Sequence, residues 1–219
     1  MEQVEMTAVS LASLNILSPS ESNLTLTILD QQLQIILLTA ANSNSGITTS
    51  SIALANELAR TSRGKVLLID TSLSKSSLSQ RMGLEEQDGF LDLVLAENPP
   101  VLADCVEQSP ELNFDFLPLG HRQQYGERLT AQPLRELFNK LGEEYRFVII
   151  DGDPVYGNGD LLTLSTQVDG VVLVVRGEET RWEVAQAATQ RLIQAEAKLI
   201  GSVFNARKYY MPKWVYDRL

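Results

Sequence analysis

The sequence predicts an α/β fold with a mostly parallel central sheet and helices on both of its faces. Three observations predict it. Six short runs rich in Val, Ile and Leu recur between residues 34 and 205. Segments with helical spacing separate most of them. Three of the runs end in residues suited to holding a ligand at one edge of a sheet, and in open parallel sheets ligands bind outside the carboxyl ends of the strands.

In chain order, residues 1–32 are rich in Ser, Thr, Leu and Asn, contain no Lys or Arg, and carry a turn signal, SPSES, at 18–22. They read as a weakly structured N-terminal arm with one short helix over residues 4–14, and the body of the protein is expected to span 33–219. The strand-like runs are QIILLTA (34–40), KVLLID (65–70), FDFLPLG (114–120), RFVIID (146–151), GVVLVVR (170–176) and LIGSVFN (199–205). They are near-continuously apolar rather than alternating, which is the mark of strands covered on both faces. The helical segments are 50–60, 133–145 and 181–197. The acids at 178–180 (EET) suit the N-terminal boundary of the last helix, where negative charge meets the positive end of the dipole.

Composition narrows the function. The 219 residues suffice for one domain with a proper core. A net charge of −10 argues against nucleic acid as a partner, because phosphate-backbone binding needs clustered Lys and Arg. Cys105 is the single cysteine and His121 the single histidine, so an internal disulfide, a His-based metal site and Ser-His-Asp chemistry are not expected. Cys105 reads as a small buried hydrophobe, and His121 receives no role. No apolar run reaches the ~18–20 residues that span a bilayer. No basic segment precedes a hydrophobic core at the N-terminus, so the expected location is the cytoplasm.

The first strand end reads TAANSNSGITTSS (39–51), a strand feeding a Gly-containing turn and then a helix. Set against the phosphate-loop pattern G-x-x-x-x-G-K-[ST], it offers Ala41, Gly46, Ile47 and Thr48. Gly46 and the helix N-terminus can still present backbone N–H groups, Asn44 tolerates left-handed geometry, and Thr48 keeps a hydroxyl suited to magnesium. The ammonium is missing, because Ile47 stands where the lysine belongs. The second and third strands of the set, VLLID and FVIID, end in Asp70 and Asp151, carboxylates of the kind that hold magnesium or its waters.

Taken together, VLLIDTSLSKSSL, FVIIDGDPVYGNGDLLTLSTQVDGVVLVVRGEETR and AKLIGSVFNAR resemble, in order and spacing, the bacterial tyrosine kinase family of polysaccharide assembly. Those P-loop NTPase-like cytoplasmic domains are related to cell-division-site and chromosome-partitioning ATPases, and they work with a membrane-embedded co-polymerase. The resemblance covers residues 33–219 and is most specific over 147–181. It implies residual nucleotide contacts at Gly46, Thr48, Thr49 and Asn205, the last beside the base, and a residual magnesium site at Thr48, Asp70 and Asp151. Pro154 of the third motif is kept. Ser72 replaces the second aspartate of the family's second motif, and Ser74 and Lys75 stand where two arginines often do. The arginine-bearing N-terminal segment associated with ring formation has no match.

The resemblance therefore implies the family's architecture without its chemistry. No catalytic residue is expected, since Ile47 and Ser72 replace the lysine and the aspartate. No cofactor is expected either, with ATP or ADP and Mg2+ bound only if the pocket is still competent. The alternative is an active autophosphorylating tyrosine kinase or positioning ATPase in which Lys65 or Lys75 supplies the lost charge. Expected partners are a membrane-embedded co-polymerase or related kinase at the inner face of the plasma membrane, with self-association possible in principle. The tail, RKYYMPKWVYDRL, concentrates Tyr209, Tyr210, Trp214 and Tyr216 among four basic residues. Three readings stay open for it: packing on the sheet edge, contact with a partner or membrane, and phosphorylation.

Overall fold

All six apolar runs form strands, and every pairing between them is parallel. The computed structural model describes residues 19–74, 76–108, 112–121 and 128–206. The strands are β1 (Ile35–Ala40), β2 (Val66–Asp70), β3 (Asp115–Leu117), β4 (Phe147–Asp151), β5 (Gly170–Arg176) and β6 (Leu199–Asn205), in the spatial order β3-β2-β4-β1-β5-β6. β1 lies in the interior of the sheet, with Leu38 opposite Asp151 on β4 and opposite Val172 on β5. The third run is shorter than its apolar stretch suggests, because Pro118 follows Leu117 and cannot donate to a ladder.

The longer helices are α1 (Pro19–Asp30), α2 (Ile47–Thr61), α6 (Ala131–Glu144) and α8 (Trp182–Gln194). Between them lie four short ones: α3 (Leu78–Arg81), α4 (Phe90–Leu95), α5 (Leu102–Cys105) and α7 (Asp160–Ser165). α6 shows why such segments fold as helices. Leu134, Leu137, Phe138 and Leu141 recur at i, i+3, i+4 and i+7, so one stripe is buried and the rest is polar. Among the described residues no helix is long and apolar enough to cross a membrane.

Alternate residues along each strand feed two cores. Leu37, Ile150 and Leu173 face one, with Phe90 of α4, Leu134 of α6, Leu164 of α7 and Leu192 of α8. Leu38, Ile149 and Val174 face the other, with Ile28 of α1 and Ile52 and Leu58 of α2. This two-sided burial explains the unbroken apolar runs.

The N-terminal arm needs correction over its described part. Residues 19–30 form α1, and Leu24, Ile28 and Leu33 are buried among α2 and the sheet. The SPSES signal is where a helix starts, with Pro19 as its first residue, a position whose missing N–H costs no bond. The body thus begins before residue 33. The helix expected over 4–14 lies outside the described residues.

Candidate functional site

The loop from Ala41 to Gly46 leaves β1 and enters α2 through two left-handed residues, Asn44 (φ 59°) and Gly46 (φ 88°). Side chains from two later strands pin it. Arg176, ending β5, donates from Nη1 to the Asn44 carbonyl at 2.8 Å and pairs through Nε with Glu179 at 3.0 Å. Asn205, ending β6, donates from Nδ2 to the Ser45 carbonyl at 3.0 Å. That contact gives a second reason for glycine at 46, since a Cβ there would lie 1.8 Å from Asn205 Nδ2 and the carboxamide would have to move. The first-turn N–H groups of α2 have no partner within the helix, and Gly46, Thr48 and Thr49 line a cleft of about 770 Å³.

Ile47 does not fill that cleft. It is only 8% exposed and packs in the core with Leu38 and Ile52, forming part of the cleft wall. The branched side chain therefore lies in the core and not across the cleft. The chain replaces a cation with an anchor, and the space above it remains open.

Both carboxylates lie at strand ends, where the sequence puts them. Asp70 and Asp151 stand opposite each other on β2 and β4, both fully buried, and neither lines the cleft. Asp70 accepts from Ser79 N at 2.7 Å, Ser79 Oγ at 2.6 Å and Ser72 N at 3.0 Å, so its oxygens tie down the segment between β2 and α3. Ser79 Oγ accepts in turn from Leu119 N at 2.8 Å. Asp151 Oδ1 accepts from Ser51 Oγ at 3.0 Å, while its Oδ2 has no partner. Burial raises the pKa of Asp70. Burial and then the Asp70 charge push Asp151 up to about 7, with the Thr48 and Ser51 hydroxyls acting the other way.

The three residues of the expected magnesium set thus lie together: Thr48 lines the cleft and its hydroxyl acts on Asp151, which stands opposite Asp70, with both acids buried. Asp151 Oδ2 is an orphan that a proton or a cation would satisfy. Asp70 accepts hydrogen bonds from Ser79 and Ser72, burial raises the pKa of Asp151, and Ile47 stands at the lysine position.

One acid was missed. Asp153 does line the cleft, accepting from Ser72 Oγ at 2.7 Å and from Leu73 N at 3.0 Å. Ser72, in the place of the second aspartate, is hydrogen-bonded to a carboxylate on the neighbouring strand end. The signal was present in DGDP, a second acid two residues past Asp151. The basic residues also differ from expectation. Lys65 precedes β2 at the far edge of the sheet and pairs with Glu144 at 3.6 Å, so it cannot serve the cleft. Lys75 and the tail residues Tyr209, Tyr210, Trp214 and Tyr216 lie outside the described residues. The described cations at the cleft are Arg81 and Arg176, neither of which the sequence pattern singled out.

His121 and Cys105 have structural surroundings. The His121 ring lies 3.2 Å from both Asp88 and Asp92. Cys105 is buried, and burial pushes its thiol up to about 11, far from reactive thiolate character.

No family model matches the chain. Tyrosine-protein kinase YwqD of Bacillus subtilis is 29% identical over 188 residues, which is 85% of this chain and 78% of that protein. Tyrosine-protein kinase etk of Escherichia coli K12 is 27% identical over 173 residues, and there the match spans 78% of this chain but only 23% of the relative's length. Among solved structures, the VpsO kinase domain superposes with a TM-score of 0.71 at 26% identity, covering 93% of this chain and 98% of that one. In sequence and in fold, the chain is thus similar to the bacterial tyrosine-protein kinases.

Proposed function

We propose that the protein is a kinase-derived, non-catalytic component of exopolysaccharide or capsule synthesis and export. It acts by binding a membrane-embedded co-polymerase or a related kinase at the inner face of the plasma membrane. The observation that carries the non-catalytic reading is Ile47, seated in the core at the position of the phosphate-holding lysine. A charge-assisted hydrogen bond contributes roughly 1.5–3 kcal/mol, or ~10–150-fold in affinity. Its loss where charge develops in a transition state commonly lowers rate by a further ~10²–10³. The binding role is supported by how the matching region is distributed among relatives. It is most of YwqD but under a quarter of etk, as expected of a domain that works against a second polypeptide, fused or separate.

The test is calorimetric titration of Mg-ATP and Mg-ADP into the wild type and into Ile47→Lys, with phosphotyrosine detection after expression of the chain alone. The expected result is no phosphotyrosine and no binding below millimolar nucleotide in the wild type. Micromolar binding together with tyrosine phosphorylation overturns the reading. One observation favours that outcome as the second reading, namely that Arg81 and Arg176 line the cleft. In that event Arg81→Ala abolishes the phosphorylation.

A further inference from the structure

On the face of the sheet covered by α8, the helix leaves part of β6 bare. Leu173 and Val175 of β5 stand beside Ser202 and Phe204 of β6 in register. With Trp182 and Ala185 of α8 they line an apolar groove of about 760 Å³. Two large rings at its rim are open to water, Trp182 at 73% and Phe204 at 52% exposure. Single exposed apolar residues are ordinary, but two aromatics flanking one apolar groove mark a surface that something covers.

We propose that the groove is the docking site of this chain's own C-terminal segment, residues 207–219. Three observations select that occupant. The segment begins where the groove does, directly after Phe204 and Asn205 at the end of β6. Its starting point departs from the strand direction: Ala206 has φ 53°, left-handed for a residue with a Cβ, and donates its N–H to Asn205 Oδ1 at 2.8 Å. Its length is sufficient. Residues 207–219 can span up to ~40 Å, whereas the seven residues of β6 rise over only ~23 Å.

Composition agrees with the placement. Tyr209, Tyr210, Met211, Trp214, Val215 and Tyr216 supply apolar and aromatic surface. Pro212 has no N–H to leave unsatisfied beside a sheet edge. Arg207, Lys208, Lys213 and Arg218 meet a body that is otherwise acidic, with Glu183 exposed in the first turn of α8. A segment of the same chain pays little association entropy compared with a free partner, because its local concentration is set by one short connection.

The chain's two tryptophans, Trp182 and Trp214, supply the readout. In full-length protein carrying Trp214→Phe, emission reports Trp182 alone. Acrylamide should quench it weakly, and several-fold more strongly in the same variant ended at Ala206. In full-length protein carrying Trp182→Phe, Trp214 is the reporter. There Ala185→Glu, which leaves the tail intact but puts a charge in the groove, should red-shift Trp214 and raise its quenching. Equal quenching of Trp182 with and without the tail, or a Trp214 indifferent to Ala185→Glu, overturns the proposal. Shielding that disappears on dilution, as the chain passes from dimer to monomer by light scattering, assigns the groove to a second copy and overturns it too.

Discussion

Replacing Gly46 with alanine tests whether Asn205 and the loop after β1 form one coupled unit. Two costs are expected. The first is conformational, since a Cβ at φ 88° meets left-handed sterics worth ~1–2 kcal/mol. The second is the collision itself. With the new Cβ 1.8 Å from Nδ2, the Asn205 carboxamide must swing away. It then loses its bond to the Ser45 carbonyl and disturbs the one it accepts from Ala206 N, each worth ~1 kcal/mol. Gly46→Ala should therefore destabilise the wild type by ~2–4 kcal/mol. In an Asn205→Ala background only the conformational part remains, ~1–2 kcal/mol. Urea unfolding of the four proteins, compared at unchanged m, gives a coupling energy of ~1–2 kcal/mol. A coupling of zero would show that the carboxamide does not hold the loop, and the account of the site's geometry would fail.

Asp151→Asn should stabilise the protein at neutral pH and flatten its pH dependence. The folded-state pKa of Asp151 stands above the unfolded one, so the folded state binds the extra proton and wild-type stability falls as pH rises from about 4 toward about 7. The loss should be on the order of 2–4 kcal/mol across that window. Chemical denaturation at pH 5 and 8 checks it, and a wild type equally stable at both contradicts it. Ser79→Ala removes a hydroxyl that donates to buried Asp70 and accepts from Leu119 N, and should lower stability by ~2–3 kcal/mol in thermal unfolding. Ile47→Lys should cost only ~1–2 kcal/mol, because the residue borders the cleft and the ammonium can reach water along its stem. A Tm drop well beyond that in calorimetry would show position 47 to be sealed.

The strands were legible because each is covered on both faces, which leaves continuous Val/Ile/Leu runs with little else to mimic them. α2, α6 and α8 were legible from their apolar stripes. α1 was not: its buried residues Leu24 and Ile28 are two points in a Thr- and Ser-rich context, too few to set a period. The short helices α3, α4, α5 and α7 span four to six residues and are shaped by tertiary contacts, as when Phe90 N and Leu91 N donate to the Pro118 and Leu119 carbonyls. At the site, Gly46 and Thr48 were found from spacing, since the turn and the helix start are local. Asp153, Arg81 and Arg176 were not. Their roles depend on which strand ends and loops lie side by side, and a linear pattern read as a lysine and two aspartates does not search for carboxylates and guanidiniums placed elsewhere.

The strand order has a kinetic consequence. The carbonyls of Asn44 and Ser45 are held by Arg176 and Asn205, contacts separated by 132 and 160 residues. Such long-range closures are the slow ones in folding, because chain entropy is lost before the contact forms. β1 can pair with β4 and β5 earlier, yet the loop after it receives its last support only when β6 joins the sheet edge. During synthesis the cleft is therefore finished only after β6 has been made. A chain ended before Asn205 should carry an unpinned loop after β1.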